Sequence, residues 1–245
     1  MTMLNDGDML RAWETGEAQG PVARALTLLS CGYPERSMTE LAALTIGQRD
    51  GLLLKLREQT FGRHIRGFAE CPVCGQALVF STTNSALSVS PPSASWPQEL
   101  RFDDWVLQLR PLDSHALATA ASFGDVELAR AYLLECCLLC AELAGEEIAA
   151  SELPETVCLR ISAALAAQDP QAEVLLSLRC ASATCGHQWD ALFDIATYLW
   201  TEVAAQARRL FDEVDALARA YGWSEAAILG MSSARRRQYL QKVGA

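Results

Sequence analysis

The sequence predicts an α+β protein, mainly helical, with a small antiparallel β-island interrupted by a helical insertion and flanked by helical N- and C-terminal segments. Three observations predict this. Apolar residues recur at spacings of three and four over both ends of the chain. Four short stretches in the middle, "QALVFST", "WVLQLR", "AEVLLSLRC" and "QWDALFD", instead read as strands. Two cysteine turns, "CPVCG" at 71–75 and "CASATCGH" at 180–187, are each followed by one of those stretches. The expected segments are 1–60 (helical), 61–111 (first half of the β-island), 112–171 (helical insertion), 172–194 (second half) and 195–245 (a long helix plus two short ones).

In the first segment, "PVARALTLLSCGY" places Val22, Ala25, Leu26 and Leu29 on one face, with Pro21 to start the helix and Gly32 to end it. "SMTELAAL" can be capped by Ser37 or Thr39. "TIGQRDGLLLKLREQTF" sets Leu52, Leu53, Leu56 and Phe61 on one side of a third helix. After the strand at 76–82 comes a Pro/Ser-rich loop at 88–97, then "WVLQLR" at 105–110 as a half-buried strand. Helices return at "DSHALATAASF", capped by Asp113 or Ser114, at "DVELARAYLLECCLLCAELA", capped by Asp125, and at "PETVCLRISAALAAQD". After the second cysteine turn, Ile195, Leu199, Val203, Ala207, Leu210, Val214, Leu217 and Tyr221 form one apolar stripe. A helix carrying them would run about 40 Å at roughly 1.5 Å per residue. Gly222 stops it, and a serine starts each of the two short helices that follow.

The chain has 245 residues, 51% of them hydrophobic and 20% charged, enough for a sizeable core. No apolar run reaches the roughly 18 residues of a membrane span. The start, "MTMLNDGDML", lacks the basic region of a signal peptide, so a cytoplasmic location is expected. A net charge of −10 argues against nucleic acid as a partner. The charge is uneven. Residues 99–160 hold 12 acidic and 4 basic residues, whereas the tail from Arg219 sets Arg235, Arg236, Arg237 and Lys242 beside it against Glu225. An acidic middle and a basic end fit protein contacts, internal pairing or solvated helix faces.

Nine cysteines in a chain without an export signal read as reduced thiols. Zinc takes four thiolates in a tetrahedron, and a Cys-x-x-Cys turn supplies two from one tight loop. Cys71 and Cys74, followed by Gly75, fit that pattern. Cys180 and Cys185, followed by Gly186, form a longer turn with four intervening residues. Together they make the β-island zinc-ribbon-like, with one structural zinc per chain held by Cys71, Cys74, Cys180 and Cys185. Two other readings stay open: a ribbon folded by its apolar strands alone, and a redox-active pair. His187 is an alternative ligand. "ECCLLC" sets Cys136, Cys137 and Cys140 on an apolar helix, where core packing outweighs metal binding; Cys31 and Cys158 read the same way.

Catalysis has no visible carrier. There is no His-Glu-x-x-His, no Gly-x-Ser-x-Gly, no phosphate-binding glycine loop and no dinucleotide fingerprint. His64 reads as a loop or interface residue, His115 as an exposed first-turn residue, and Asp103–Asp104 as a solvated turn. A non-enzymatic binding or assembly role is expected.

One resemblance sharpens this. The series "LREQTFG" before "CPVCG", then "WVLQLRPLDSHALATAA", "LRCASATCGHQWDALFDIATYLWTEV" and "LARAYGWSEAAILGMSSARRRQYL" resembles a family similar to the T-even phage baseplate hub assembly chaperone. That family is found in gene clusters of contractile phage tails and extracellular contractile injection systems. The family pattern has Cys-x-x-Cys at both turns; here the second turn is longer. The resemblance implies a non-enzymatic assembly factor or minor structural component of a baseplate, cytoplasmic or incorporated into the particle. Its partners would be hub, spike or wedge proteins. An adaptor for cargo loading or regulation outside the baseplate is the alternative. Such a role needs a contact surface, for which Trp200, Phe211, Tyr221, Trp223, Arg235, Arg236 and Arg237 are the candidates, because Trp, Tyr and Arg anchor interfaces most often.

Overall fold

A computed structural model describes residues 2–90 and 96–243. Of the Pro/Ser loop expected at 88–97, residues 91–95 lie outside the described residues. The chain is mixed α+β and mainly helical, and it divides into two compact units, Met1–Glu35 with Ala196–Ala245, and Arg36–Ile195.

The chain opens with α1 (Asp6–Gly16) and α2 (Pro21–Gly32). Asn5 caps α1 through a reciprocal pair with Asp8, and Pro21 starts α2 where its missing N–H costs nothing. Next come α3 (Met38–Ala42), capped by Ser37 with Glu40, and α4 (Ile46–Phe61), capped by Thr45 with Gln48. On α4 the buried side includes Leu53, Leu54 and Leu56, while Leu52 and Phe61 stay half-exposed.

A first hairpin follows, β1 (His64–Glu70) and β2 (Ala77–Thr83), paired antiparallel from His64↔Thr83 to Glu70↔Ala77. The sequence predicts its second strand, and the structure adds β1 before the cysteine turn. His64 is an exposed residue of β1, not of a loop. Gly67 lies opposite Phe80, whose ring comes within 2.1 Å of where a Cβ would stand, so any side chain there would have to displace the ring. A single turn, α5 (Asn84–Leu87), closes the hairpin.

The insertion departs from expectation. It carries β3 (Gln98–Phe102), β4 (Trp105–Leu109), α6 (Ser114–Ala120), α7 (Val126–Cys137), β5 (Leu138–Leu143), β6 (Glu146–Glu147) and α8 (Glu155–Gln168). The four strands form one antiparallel sheet in the order β3-β4-β5-β6. "WVLQLR" therefore belongs to the insertion and not to the cysteine-bearing hairpins, and the insertion is not purely helical. The predicted helix over "ECCLLCAELA" breaks at Leu138 because Arg110 takes its last carbonyls: its amide donates to Cys137 at 2.8 Å and its Nε to Cys136. Leu138 to Leu143 then pair with β4. Leu107, Leu109, Cys137, Ala141, Val157 and Ile161 form the core between this sheet and α8. Asp103 and Ala144 take positive φ in the tight turns at 103–104 and 144–145, and Asp103–Asp104 is the exposed turn the sequence suggested.

A second hairpin, β7 (Leu175–Arg179) and β8 (Gln188–Leu192), pairs from Leu175↔Leu192 to Arg179↔Gln188. The two hairpins are separate two-stranded sheets. The chain ends in α9 (Ile195–Tyr221), α10 (Glu225–Leu229, capped by Ser224) and α11 (Ser233–Val243). Leu199, Val203, Ala207, Leu210 and Leu217 of the predicted stripe are fully buried. In the terminal unit Leu10, Ala207 and Leu210 make a core with Trp13 and Leu229 against it. Among the described residues, no helix is long and apolar enough to cross a membrane.

Candidate metal centre

Each hairpin presents a cysteine turn between its strands. In the first, the Cys71 amide donates to the Gln76 carbonyl at 3.0 Å and the Gly75 amide to the Cys71 carbonyl at 2.9 Å. In the second, the Cys180 amide donates to the His187 carbonyl at 2.8 Å, and the amides of Cys185 and Gly186 both donate to the Ser182 carbonyl. The two extra residues of the second turn are thus absorbed by a local turn at Ser182. Gly75 (φ +69°) and Gly186 (φ +56°) each close their loop in the left-handed region, which a side chain disfavours.

What brings these turns together lies mostly in polar residues around α4. Arg57, almost wholly buried, donates to the Gly62 carbonyl at 2.6 Å and to Asn84 Oδ1 at 3.3 Å. Asn84 in turn donates to the Leu54 carbonyl, and its amide to the Arg63 carbonyl. Both ends of the first hairpin are pinned to α4 in this way. On the other side, Asp169 accepts from the Gly47 amide at 2.8 Å. Gln171 accepts from the Val89 amide at 2.7 Å and donates to the Leu87 carbonyl at 3.2 Å. The approach to β7 is thereby held against the same helix and the exit of the first hairpin. None of these polar residues belongs to a recognisable sequence motif.

All four predicted thiols converge. The Sγ atoms of Cys71, Cys74, Cys180 and Cys185 lie within 4.8 Å of one another. Cys71 and Cys185 are 3.8 Å apart, and Cys74 and Cys180 3.5 Å. A tetrahedral ion with sulfur bonds of roughly 2.3 Å requires sulfurs about 3.8 Å apart, so the cluster fits such an ion. His187 stays outside the thiol group and stacks on Trp189, rings 6.0 Å apart and nearly parallel.

Crowding divides the thiols' acidities. For Cys71, burial raises the pKa, but amides of Cys74 and Val73 and the thiols of Cys74 and Cys180 outweigh it and bring it down to about 7. For Cys180 the Ser182 amide lowers the pKa, yet burial and the neighbouring sulfurs push it up to about 12. Four anions cannot share so small a volume unless protons or a cation neutralise them. The site can therefore hold a metal ion, and with four protein donors already in place it matches a closed, structural type of centre.

The other cysteines are placed apart from it. Cys137 is buried in the insertion core, its thiol pushed up to about 11 by burial. Cys140 is on β5 and donates to Glu142, so Cys136 and Cys140 do not share a helical face. Cys31 lies on α2 and Cys158 on α8, both partly buried.

The expected contact residues all sit in the terminal unit. Trp200 packs its ring over Gly16 and under the Arg24 guanidinium, 4.7 Å from its centroid. Phe211, 38% exposed, meets Trp13 edge-on at 5.4 Å. Tyr221 and Trp223 stack at 4.5 Å, and Tyr239 meets both edge-on. Arg235 lies over Tyr239. Arg235 and Arg237 are exposed. Arg236 is a correction: it is 1% exposed, paired with Glu213 at 2.8 Å and with Asp6 at 2.5 Å, and so turned away from any partner.

Fold and site define a mixed α+β protein, mainly helical, with two terminal helical segments and a four-thiol candidate metal centre. A family model described as T4 bacteriophage base plate protein matches residues 27–200, more than half of the chain, a span within which all four of these cysteines lie. The chain belongs to that family. No curated protein and no solved structure matches it.

Proposed function

We propose that this protein is a non-enzymatic assembly factor or minor structural component of the baseplate of a contractile injection system. Zinc held by Cys71, Cys74, Cys180 and Cys185 fastens its two hairpins. The family match over residues 27–200 carries the reading. The thiol cluster supports it by supplying a structural centre in which the protein holds every ligand position. Zinc is the ion of choice because four soft thiolates at tetrahedral spacing suit it. It would tie together residues more than a hundred positions apart in the chain, and so fix the insertion at both of its ends. No step of chemistry is assigned to it.

The surface offered to hub, spike or wedge proteins is the aromatic end of the terminal unit, Phe211, Tyr221 and Trp223 with Arg235 and Arg237. The protein works in the cytoplasm, where the particle is built. The test is affinity purification from particle-building cells, with mass spectrometry of the partners and of finished particles. Hub or spike partners with the protein absent from particles identify a chaperone; retention identifies a subunit. A deletion strain that still makes complete, filled particles overturns the proposal, and complete but empty particles transfer the role to cargo loading.

A further inference from the structure

We propose that the apolar groove between α6, α7 and α8 docks a cationic amphipathic helix of a partner protein. Two cavities, of about 400 and 370 Å³, adjoin along it. Leu112, Ser162 and Leu165 line both and form the ridge between them. Trp96 and Leu117 add to the first, Leu133 and Ile161 to the second. Each has the volume of a site for bulky apolar groups, so an occupant can seat one anchor on either side of the ridge. Val126, which lines the second cavity, is 80% exposed, apolar surface that an occupant would cover.

Charge selects the occupant. Residues 112–173 carry eleven carboxylates and two arginines. Both arginines are already engaged: Arg130 pairs with Glu155 at 2.5 Å, and Arg160 lies over the Phe102 ring at 4.8 Å. Asp169 and Glu173 line the first cavity, and Glu127 and Glu135 stand exposed on α7. A helix with an apolar stripe and flanking Lys or Arg satisfies both the cavities and the field around them. An acidic or uncharged helix satisfies only the cavities. The surface lies in the insertion, so it goes beyond the contact surface assigned above.

The probe is a labelled Leu/Lys peptide of about 18 residues with leucines spaced three and four apart, followed by fluorescence anisotropy on the full metal-loaded chain. Saturable one-to-one binding is expected, weakened about tenfold or more when Glu replaces every Lys in the peptide. Ser162→Trp should weaken it to a similar degree, because the new indole fills the groove from an exposed position whose hydroxyl bonds only the Cys158 carbonyl. Circular dichroism and metal content report whether that variant folds. Should it not, Glu127→Lys with Glu173→Lys, both exposed positions, should weaken the Leu/Lys peptide about fivefold or more. Equal binding of the Glu peptide, or undiminished binding by a folded variant, overturns the proposal.

Discussion

Gln171 accepts the Val89 amide at 2.7 Å, across 82 positions of sequence, and the same side chain returns a bond to the Leu87 carbonyl. One amide group thus holds the exit of the first cysteine hairpin to the approach of the second. Gln171→Ala leaves an N–H and a carbonyl without partners, at a cost of roughly 1–3 kcal/mol. Gln171→Glu keeps an acceptor for Val89 but sets a buried carboxylate against the Leu87 carbonyl, so it should cost at least as much. Urea midpoints of the three proteins check the order; equal midpoints for wild type and Gln171→Ala would show that the link does not matter.

Gly47 offers a sharper probe of the same joint. A Cβ there would stand 2.0 Å from Asp169 Oδ1, the carboxylate that caps the start of α4 from across the insertion. Gly47→Ala should therefore destabilise the protein, although alanine favours helices by about 1 kcal/mol over glycine. Asp169→Ala in the same background removes the carboxylate contact and leaves only the Ala172 nitrogen, at 3.1 Å, among the close neighbours, so the double variant should be more stable than additivity of the two singles predicts. Thermal unfolding of all four proteins closes the cycle.

Metal loading should release protons. With Cys71 at about 7, Cys180 at about 12 and Cys185 raised above its usual value, the metal-free site at pH 7 keeps the protons of Cys180 and Cys185 and about half of that on Cys71, and the metal must displace them. The sign for each follows from its shift. Cys71, lowered from 9.0, favours the folded metal-free state above pH 9, and that contribution fades as pH falls through about 7. Cys180, raised from 9.0, contributes below pH 9 and loses its contribution as pH climbs through about 12. Titration calorimetry in buffers of different ionisation enthalpy should count about two or more protons released per zinc at pH 7, and fewer at pH 8.5, where Cys71 is already largely ionised. Elemental analysis should give one zinc per chain, lost in Cys74→Ser with Cys185→Ser.

The legible part of this site was its chemistry and the illegible part its support. The residue type and spacing of Cys71, Cys74, Cys180 and Cys185 announce metal binding because few other uses need paired thiols beside left-handed glycines. Arg57, Asn84, Asp169 and Gln171 carry no such signature. Their roles depend on which backbone groups happen to lie opposite them after folding, which no local pattern encodes. The same limit explains β5. "LLCAELA" has the composition of a helix, and only Arg110, brought in by β4, captures the carbonyls that would have continued it. Gly67 is a further case without a local signature: the Phe80 ring opposite it fills the space that a side chain would take.

The three consecutive arginines of α11 separate a structural role from a surface role within one turn. Arg236 is enclosed and holds Glu213 of α9 and Asp6 of α1, two helices far apart in the chain. Removing it strands two carboxylates that are themselves about three-quarters buried. The cost of breaking a fully buried pair is about 3–5 kcal/mol, and partial solvation of the acids puts Arg236→Ala near the lower end. Arg235 and Arg237 lie in solvent on either side of it, so Arg235→Ala with Arg237→Ala should shift stability by less than about 1 kcal/mol. The same double variant should lose hub or spike partners in affinity purification if the aromatic end is the contact surface, since Arg235 completes the Tyr221, Trp223 and Tyr239 cluster. A folded double variant that retains every partner would move the contact elsewhere. A harmless Arg236→Ala would show that the clamp between α1, α9 and α11 does not hold the terminal unit together.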